Sequence, residues 1–366
     1  MRARYEVADV LRHLDNSIES IGLNTHQLRT LSAIKCCRTP ALGGHIDECD
    51  ACGIIKISYN SCRNRHCPKC QGHKREEWIQ NRTADLLPVP YFHVVFTLPD
   101  TLNRLALYQP TVVYDALFKA AWQTIHQFAT TKGLQAGMIC ILHTWGQNLG
   151  LHPHLHCIVP GAGVDAKGNF KVVTPNGKFL FPVKALSKVY RAKYVAMLRE
   201  KGVTDKSFIE KLFTKDWVVY AKRPFGGPTQ VIEYLGRYTH KIAISNHRIQ
   251  SVDSNDTTFY YKDYRCHGLK KKMTLNNREF IRRFAMHILP HRFVRIRHYG
   301  MLSSTWKRAK FVELRNQLKM PSPKIEIATR LHNCPCCKKG KLVTLLIFDK
   351  RGPPNQYKLE QNGNAC

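Results

Sequence analysis

Apolar positions at the start of the chain recur with the period of a helix. Between residues 7 and 21 they stand three or four positions apart, which predicts an amphipathic helix. These apolar residues are Val7, Val10, Leu11, Leu14, Ile18 and Ile21. A second helical pattern, rich in charge, covers residues 73–87 and stops before Pro88.

Strand patterns follow residue 90. YFHVVFTL (residues 91–98) ends at Pro99, and MICILHTW (138–145) is separated from HPHLHCIVP (152–160) by the turn-forming GQNLG. The last two segments predict an antiparallel hairpin. Helical patterns over residues 108–131 and 184–201, with the strand WVVYAK (217–222), complete a mixed order of elements. We therefore expect an α+β fold rather than a parallel α/β sheet.

The net charge of the chain indicates which class of molecule it binds. The 366 residues carry 57 Lys and Arg against 26 Asp and Glu, a formal net charge of +31 that is spread along the chain. Such a balance favours nucleic acid, because a membrane-surface protein would need a basic amphipathic helix with an apolar face. No apolar run approaches the length of a membrane-spanning helix, and acidic residues occupy the place of a signal-peptide core. We expect a cytoplasmic protein with no membrane partner.

The 14 cysteines fit metal binding better than disulfides in a reducing compartment. Two CxxC pairs, Cys49 with Cys52 and Cys67 with Cys70, supply the four thiolates that structural zinc prefers. Cys62 and His66 lie between the pairs and are candidates for a second zinc site, for which His45, Cys36 and Cys37 also remain. Near the other end of the chain, CPCC (residues 334–337) has no obvious matching pair. The cations Arg63, Arg65 and Lys69 flank these ligands, where they suit phosphate contacts, although a solvated basic face is the alternative.

Three histidines alternate along one strand pattern. Side chains two positions apart share a strand face with Cα atoms about 6.6 Å apart, so adjacent imidazoles can converge on one metal ion. Pro153 lies between His152 and His154, whereas Leu155, between His154 and His156, can point into a buried face. We therefore assign His154 and His156 as the metal pair. The alternative is a histidine-lined strand that contacts only DNA or water.

Two tyrosines share one side of a later helix. In PTQVIEYLGRYTHKIAIS, Tyr234 and Tyr238 stand four residues apart, with Arg237 and Lys241 nearby. Gly236 between them weakens the helix by about 1 kcal/mol relative to alanine, which suggests close approach of another backbone. A phenol that attacks a metal-polarised phosphodiester gives a phosphotyrosine and a free sugar hydroxyl. The tyrosines and histidines therefore need one another, and ordinary aromatic packing is the alternative.

These segments together resemble a known family. SCRNRHCPKCQ (residues 61–71), HPHLHCIVPGAG (152–163), EYLGRYTHKIAISNHRI (233–249) and EFIRRFAMHILPHRFVRIRHYG (279–300) are similar to the rolling-circle transposases of the insertion-sequence-91 family. The resemblance implies a zinc-binding N-terminal module and an HUH endonuclease domain, in which two histidines flank a hydrophobic residue on a central antiparallel sheet. It also implies that Tyr234 and Tyr238 are nucleophiles, that transposon ends are nicked through a 5′-phosphotyrosine, and that Mg²⁺ or Mn²⁺ binds at His154 and His156.

The resemblance leaves the third metal ligand open among five side chains, Gln147, Asn148, His143, His152 and His240. We expect four segments: a helix and zinc module over residues 1–88, an HUH-type palm flanked by helices over 89–265, a basic and mainly helical DNA-contacting region over 266–330, and a cysteine-containing tail over 331–366.

Basic residues and aromatics are interleaved from Arg265 to Lys310, where 13 Lys or Arg accompany one acidic residue. This pattern suits a groove for single-stranded transposon ends and target DNA. Arg282, Arg283, Arg295 and Arg297 are its candidate contacts, together with Arg237 and Lys241 beside the tyrosines. Two alternative functions stay open: a non-catalytic zinc-module DNA-binding protein, and a replication initiator or relaxase of the same superfamily. The sequence does not fix the oligomeric state.

Overall fold

The structure is a computed structural model that describes residues 3–14, 18–70, 79, 87–173, 180–222, 236, 242–319 and 333–359. The chain divides into two compact units. We call Met1–Lys74, Ile244–Ala285 and Glu326–Cys366 the cysteine unit, and Arg75–Ala243 with Met286–Ile325 the histidine unit.

The secondary structure of the described residues mixes strands and helices throughout. The strands are β1 (Gly44–Cys49), β2 (Ile55–Tyr59), β3 (Tyr91–Thr97), β4 (Gly137–Trp145), β5 (Leu151–Pro160), β6 (Ala162–Val164), β7 (Phe170–Val172), β8 (Val219–Lys222), β9 (Ile249–Val252), β10 (Asp256–Asp263), β11 (Leu269–Asn276), β12 (Ile296–Gly300) and β13 (Leu342–Phe348). The helices are α1 (Val7–Arg12), α2 (Thr25–Lys35), α3 (Asn103–Tyr108), α4 (Pro110–Thr130), α5 (Val183–Glu200), α6 (Lys206–Phe213), α7 (Asn277–Ala285), α8 (Ser304–Gln317) and α9 (Asn355–Leu359).

A five-stranded antiparallel sheet organises the histidine unit, with the strand order β12-β4-β5-β3-β8. One face is apolar, with Phe96, Leu142 and Leu155 fully buried in a cluster that includes residues of α4 and α5. Because side chains alternate along a strand, the histidines of β4 and β5 project from the opposite face. That face also carries Ile141 and Ile158, which belong to a second core with residues of α8. The sheet thus buries one face completely and leaves part of the other for chemistry.

The cysteine unit contains two separate three-stranded antiparallel sheets. β13-β1-β2 is the first and β11-β10-β9 is the second. Helix α7 covers one face of the second sheet, where the Phe280 and Phe259 rings meet edge to face with centroids 5.7 Å apart. Helix α1 belongs to the same unit, and its Val7 amide donates to the Asn246 side chain at 3.2 Å.

The predicted α+β class and the β4–β5 hairpin are confirmed. The opening helix was predicted too long, because α1 ends at Arg12 and a separate 3-10 turn covers Ile18–Ile21. Among the described residues of 266–330, helices α7 and α8 alternate with strands β11 and β12. The expected C-terminal tail contributes β13 to the sheet of β1, so the compact units do not follow the four contiguous segments.

Two predicted helices fall mostly outside the described residues. Within 73–87 the structure describes Ile79 and residue 87, and within the tyrosine segment it describes Gly236; Ile79 and Gly236 are helical. Tyr234, Tyr238, Arg237, Lys241 and the candidate ligand His240 are therefore not located. In the part of the chain that is described, no helix has the length and apolar character needed to cross a membrane.

Candidate metal centres and DNA-contacting residues

Three histidines meet on the open face of the five-stranded sheet. His154 and His156 project from β5, and His143 projects from β4, directly opposite His154 in the register. Their ligand nitrogens all lie within 4.8 Å of one another. His143 and His156 are buried, whereas His154 is half-exposed, so one side of the cluster opens to solvent. His143 was one of five candidates for the third ligand, and the strand register brings it to the predicted pair.

Hydrogen bonds orient two of these imidazoles. His154 Nδ1 lies 2.6 Å from the His152 carbonyl oxygen and must donate to it, since a carbonyl only accepts. His156 Nδ1 lies 2.9 Å from Nε2 of His93, a buried residue of β3. In both rings the Nδ1 atom is engaged, which leaves Nε2 facing the cluster. Metal-binding histidines are commonly oriented in this way by a partner on the other nitrogen.

Contacts of His287 and Trp145 stabilise the β4–β5 hairpin that carries the histidine cluster. The buried His287 lies with Nδ1 3.1 Å from the Thr144 hydroxyl, and its Nε2 donates to the Leu149 carbonyl at 3.1 Å. Thr144 is next to His143 on β4, and Leu149 lies in the turn with a left-handed φ of 62°. Trp145 stacks on His143 with ring centroids 4.5 Å apart. These contacts fix both strands next to their metal-ligand candidates.

Gly236 makes a close approach on the histidine side of the sheet. A Cβ atom there would lie 2.3 Å from Cδ1 and Cγ1 of Ile79. Ile79 in turn packs against the second core, which includes Ile141 and Ile158. The sequence suggested that a neighbouring backbone would explain this glycine, and the structure shows a neighbouring side chain instead.

One four-cysteine cluster lies near the start of the chain, formed by Cys37, Cys62, Cys67 and Cys70. Cys70 Sγ is 3.5 Å from Cys37 Sγ and 3.6 Å from Cys62 Sγ. Tetrahedral zinc with Zn–S bonds of about 2.3 Å separates its sulfurs by about 3.8 Å, so the set fits this ion. Hydrogen bonds, the largest with Cys62, lower the pKa of Cys37 to about 7, toward the thiolate that a metal requires.

A second four-cysteine cluster joins distant parts of the chain, bringing Cys49 and Cys52 to Cys334 and Cys337. The Cys49–Cys337 and Cys52–Cys334 sulfurs are 3.7 and 3.8 Å apart, again the spacing of a zinc tetrahedron. The Gly340 amide donates to Cys337 Sγ at 3.3 Å, and backbone donors, Gly340 first, lower the pKa of Cys337 to about 6. Gly340 is required there, because a Cβ would lie 2.5 Å from Cys49 Sγ.

The predicted grouping of Cys49, Cys52, Cys67 and Cys70 around one ion was therefore wrong, since each CxxC pair belongs to a different cluster. Antiparallel pairing of β1 with β13 places Cys49 opposite Leu342, and this long-range contact brings the 334–337 pair to the 49–52 pair. Cys62 and His66 were both candidates for a second zinc site. Cys62 belongs to the first cluster, but the buried His66 does not. His66 instead accepts from Arg65 Nε at 3.3 Å.

The predicted DNA-contacting cations occupy different environments. Arg63 is exposed and Arg65 is half-buried, with burial lowering its pKa. Lys69 pairs with Glu6 at 2.6 Å. Both Arg282 and Arg283 bind Glu279 at 2.6 Å.

Two further arginines lie on β12 or beside it. The Arg295 side chain is 8% exposed. Arg297 pairs with Asp115 at 2.5 Å and lies over the Phe118 ring, 4.2 Å from its centroid. It projects from the sheet face opposite the histidines, so its role is to pack α4 against the sheet.

Comparisons with known proteins agree with these features. The family described as "Transposase zinc-binding domain" matches residues 9–98, and the family described as "Putative transposase" matches residues 137–310. A relative from Sinorhizobium fredii, "Putative transposase y4qJ", is 39% identical and covers 96% of this chain and 98% of its own length. The "Transposase for insertion sequence element IS801" of Pseudomonas savastanoi pv. phaseolicola is 28% identical, covering 85% of this chain and 80% of itself. No solved structure matches the chain.

A zinc-binding domain followed by a transposase domain defines the class of this protein as a DNA transposase. The histidine cluster lies within the region matched by the transposase domain. The chain belongs to the insertion-sequence-91 family of transposases.

Proposed function

We propose that this transposase nicks and rejoins single-stranded DNA at transposon ends through a 5′-phosphotyrosine, as in rolling-circle transposition. The observation that carries the proposal is the convergence of His143, His154 and His156 on one open sheet face. Gly236, midway between Tyr234 and Tyr238 in the sequence, lies against Ile79 on that same side. The histidine unit is then an HUH-type palm, and the reaction runs in the cytoplasm.

The tyrosines perform the bond exchange. One phenol oxygen attacks the scissile phosphorus, forming a Tyr–O–P bond while the P–O3′ bond breaks. The 3′ oxygen leaves as a hydroxyl, taking up the proton that the phenol lost. The second tyrosine repeats the cleavage at another end or at the target. Rejoining reverses the exchange, since a free 3′ hydroxyl attacks the phosphotyrosine and releases the phenol.

The three imidazoles would hold Mg²⁺ or Mn²⁺ together with oxygen ligands, the type that these ions prefer. When bound, the ion withdraws charge from the phosphoryl oxygens. His152 keeps the His154 ring oriented through its carbonyl, and His93 does so for His156. The two cysteine clusters bind one structural zinc each, and exposed cations such as Arg63 contact phosphates.

The nucleophiles are tested by trapping the covalent intermediate. The protein is incubated with Mn²⁺ and a labelled single-stranded oligonucleotide from the end of the element, and denaturing gels reveal protease-sensitive adducts. We expect Tyr234→Phe and Tyr238→Phe each to remove part of the adduct and the double variant to remove it entirely. Adduct formation by the double variant would show that another residue is the nucleophile.

The third ligand is tested separately. His143→Ala should weaken Mn²⁺ binding and slow nicking at least about tenfold, because a ligand is lost from a three-imidazole set. His152→Ala, which keeps the backbone carbonyl that orients His154, is the matched control and should change both quantities little. Equal losses in the two variants would exclude His143 as a specific ligand.

A further inference from the structure

The sheet β9-β10-β11 has one covered face and one open face. Phe259 of β10 is fully buried and its ring meets that of Phe280 on α7. Residues at the alternate positions of the strands project from the other side of the sheet, which we call the outer face. Its central positions in the register are Thr258, Tyr260 and Lys262 of β10, opposite Thr274, Lys272 and Lys270 of β11. The three lysines and Thr274 are exposed, and the other two residues are half-buried.

The charge on this outer face is concentrated and unbalanced. Lys262 and Lys270 are directly opposite each other, an arrangement of like charges that destabilises a sheet. Lys271 projects from the other face and pairs with Asp263 at 2.8 Å. None of Lys262, Lys270 and Lys272 forms an ion pair with a described residue.

The acidic residue of the outer face, Asp256, lies at the far end of β10. At the lysine end, Lys262 and Lys270 repel each other, and the carboxylate there, Asp263, belongs to the other face and pairs with Lys271. A polyanion would relieve this repulsion.

The aromatic residue of the outer face is not available for stacking. The Lys270 ammonium lies 3.7 Å from the centroid of the Tyr260 ring, a cation–π contact that occupies the ring face. Lys272 lies 5.9 Å from the same centroid. Single-stranded nucleic acids are bound largely by bases that stack on open aromatic rings. The outer face of the sheet therefore offers no open ring to stacked bases, and the exposed Tyr264 lies just beyond the end of β10.

The dimensions and hydroxyl groups of the outer face suit a duplex. The residues concerned lie on the antiparallel pair β10–β11, whose strands lie about 4.8 Å apart, and the major groove, roughly 12 Å wide, admits a two-stranded ribbon. The Thr258 and Thr274 hydroxyls lie 2.8 Å apart in the row next to the lysines. Hydroxyls serve either phosphates or base edges, and lysines serve phosphates.

We propose that this outer face binds duplex DNA, with Lys262, Lys270 and Lys272 on phosphates and the threonine hydroxyls directed into the groove. The proposal rests on the proposed function in that the partner is DNA. The surface belongs to the cysteine unit and contains none of the residues assigned to nicking.

The test compares duplex and single-strand binding by the full zinc-loaded chain. Fluorescence anisotropy is measured with a labelled mixed-sequence duplex and with one of its strands alone, over a range of salt concentrations. Lys270→Gln combined with Lys272→Gln should weaken duplex binding at least about tenfold and lower the slope of log K against log salt by about two. Single-strand binding should change less than about twofold, and Lys262→Gln alone should lower the duplex slope by about one.

A matched control removes the same charge elsewhere in the same unit. Lys56 on β2 and Lys350 after β13 are exposed, and Lys56→Gln with Lys350→Gln should leave duplex binding nearly unchanged. Equal losses in the two double variants, or no loss in the outer-face variant, would overturn the proposal. Equal losses for the duplex and the single strand would show that the surface does not select duplex DNA and would also overturn the proposal.

Zinc content and thermal midpoints establish that the variants are folded. Nicking of single strands distinguishes this proposal from the proposed function. The outer-face variant should still nick, whereas the Tyr234→Phe and Tyr238→Phe double variant should still bind the duplex.

Discussion

At the residue scale, the buried His287 shows how one imidazole supports a site without belonging to it. It contacts Thr144 on β4 and the Leu149 carbonyl in the turn before β5. Burial lowers the pKa of His287 from 6.5 to about 4, so the ring is neutral at physiological pH. A neutral ring has one N–H, which it donates to Leu149, and its other nitrogen accepts from the Thr144 hydroxyl.

Stability should therefore depend on pH through His287. The unfolded chain takes up the proton more readily than the folded one, so the contribution is complete above pH 6.5 and is lost as the pH falls toward 4. The whole shift corresponds to about 3 kcal/mol. We expect the unfolding free energy of the protein to fall more steeply over this range than that of His287→Gln, measured by urea denaturation. Parallel curves for the two proteins would contradict this role.

At the element scale, Gly236 and Ile79 couple the two helical segments at the histidine face. A methyl group at residue 236 would lie 2.3 Å from the Ile79 side chain, and such overpacking costs about 1–3 kcal/mol. Alanine would also favour the helix by about 1 kcal/mol over glycine. The two effects oppose each other, and the size of the side chain at position 79 decides which one is larger.

We expect Gly236→Ala to lower the unfolding free energy in the natural sequence and to raise it by up to about 1 kcal/mol in an Ile79→Ala background, where only the helix preference remains. Thermal denaturation of the four proteins in this double-mutant cycle measures the coupling. Additive effects, with the same sign in both backgrounds, would show that the two side chains do not meet.

Also at the element scale, the cysteine pairs form two independent metal sites. We expect the protein to bind two zinc ions, and Cys70→Ser and Cys337→Ser each to remove one, because these residues belong to different clusters. Elemental analysis measures the zinc content, and the double variant should bind none. A protein that holds a single ion, lost in Cys70→Ser but kept in Cys337→Ser, would restore the arrangement predicted from the spacing of the CxxC pairs.

The sequence predicted what depends on nearby residues. The run from Tyr91 and the alternation around His154 predicted β3 and β5, because strand periodicity is visible within one segment. The partnership of Cys49 with Cys337 was not predictable, since it depends on β1 pairing with a strand almost 300 residues later. The sequence could name His143 as one possible third metal ligand. It could not select His143 among the five candidates, because the position of His143 opposite His154 depends on the hairpin register.

The sequence could not rank the candidate DNA-contacting cations, for a similar reason. A basic segment indicates DNA contact, but it does not show which side chains point outward. Arg297 pairs with Asp115 in the packed face of the sheet, whereas Lys270 and Lys272 of β11 are exposed on the outer face. A charged side chain remains available to a ligand when it has no ion-pair partner and projects from an exposed face of the sheet. Both conditions depend on tertiary structure.

At the scale of the whole molecule, the two units differ in what stabilises them. The histidine unit has a large apolar core around its five-stranded sheet. In the cysteine unit, β13-β1-β2 is a small sheet whose edge strand β13 leaves Val343 and Ile347 exposed, 54% and 78% respectively. The second cysteine cluster lies at one end of this sheet, where it joins the end of β1 to the segment before β13. Small metal-bound modules commonly lose their fold with the metal.

Zinc removal should therefore affect the two units unequally, and the sequence provides a reporter for one of them. All five tryptophans, Trp78, Trp122, Trp145, Trp217 and Trp306, fall within the sequence ranges of the histidine unit. We expect a zinc chelator to reduce the far-ultraviolet circular dichroism signal while tryptophan emission keeps its folded wavelength, since the core that holds Trp217 contains no cysteine-cluster residue. A simultaneous shift of the emission would mean that the histidine unit cannot remain folded without zinc, and the two units would then unfold as one.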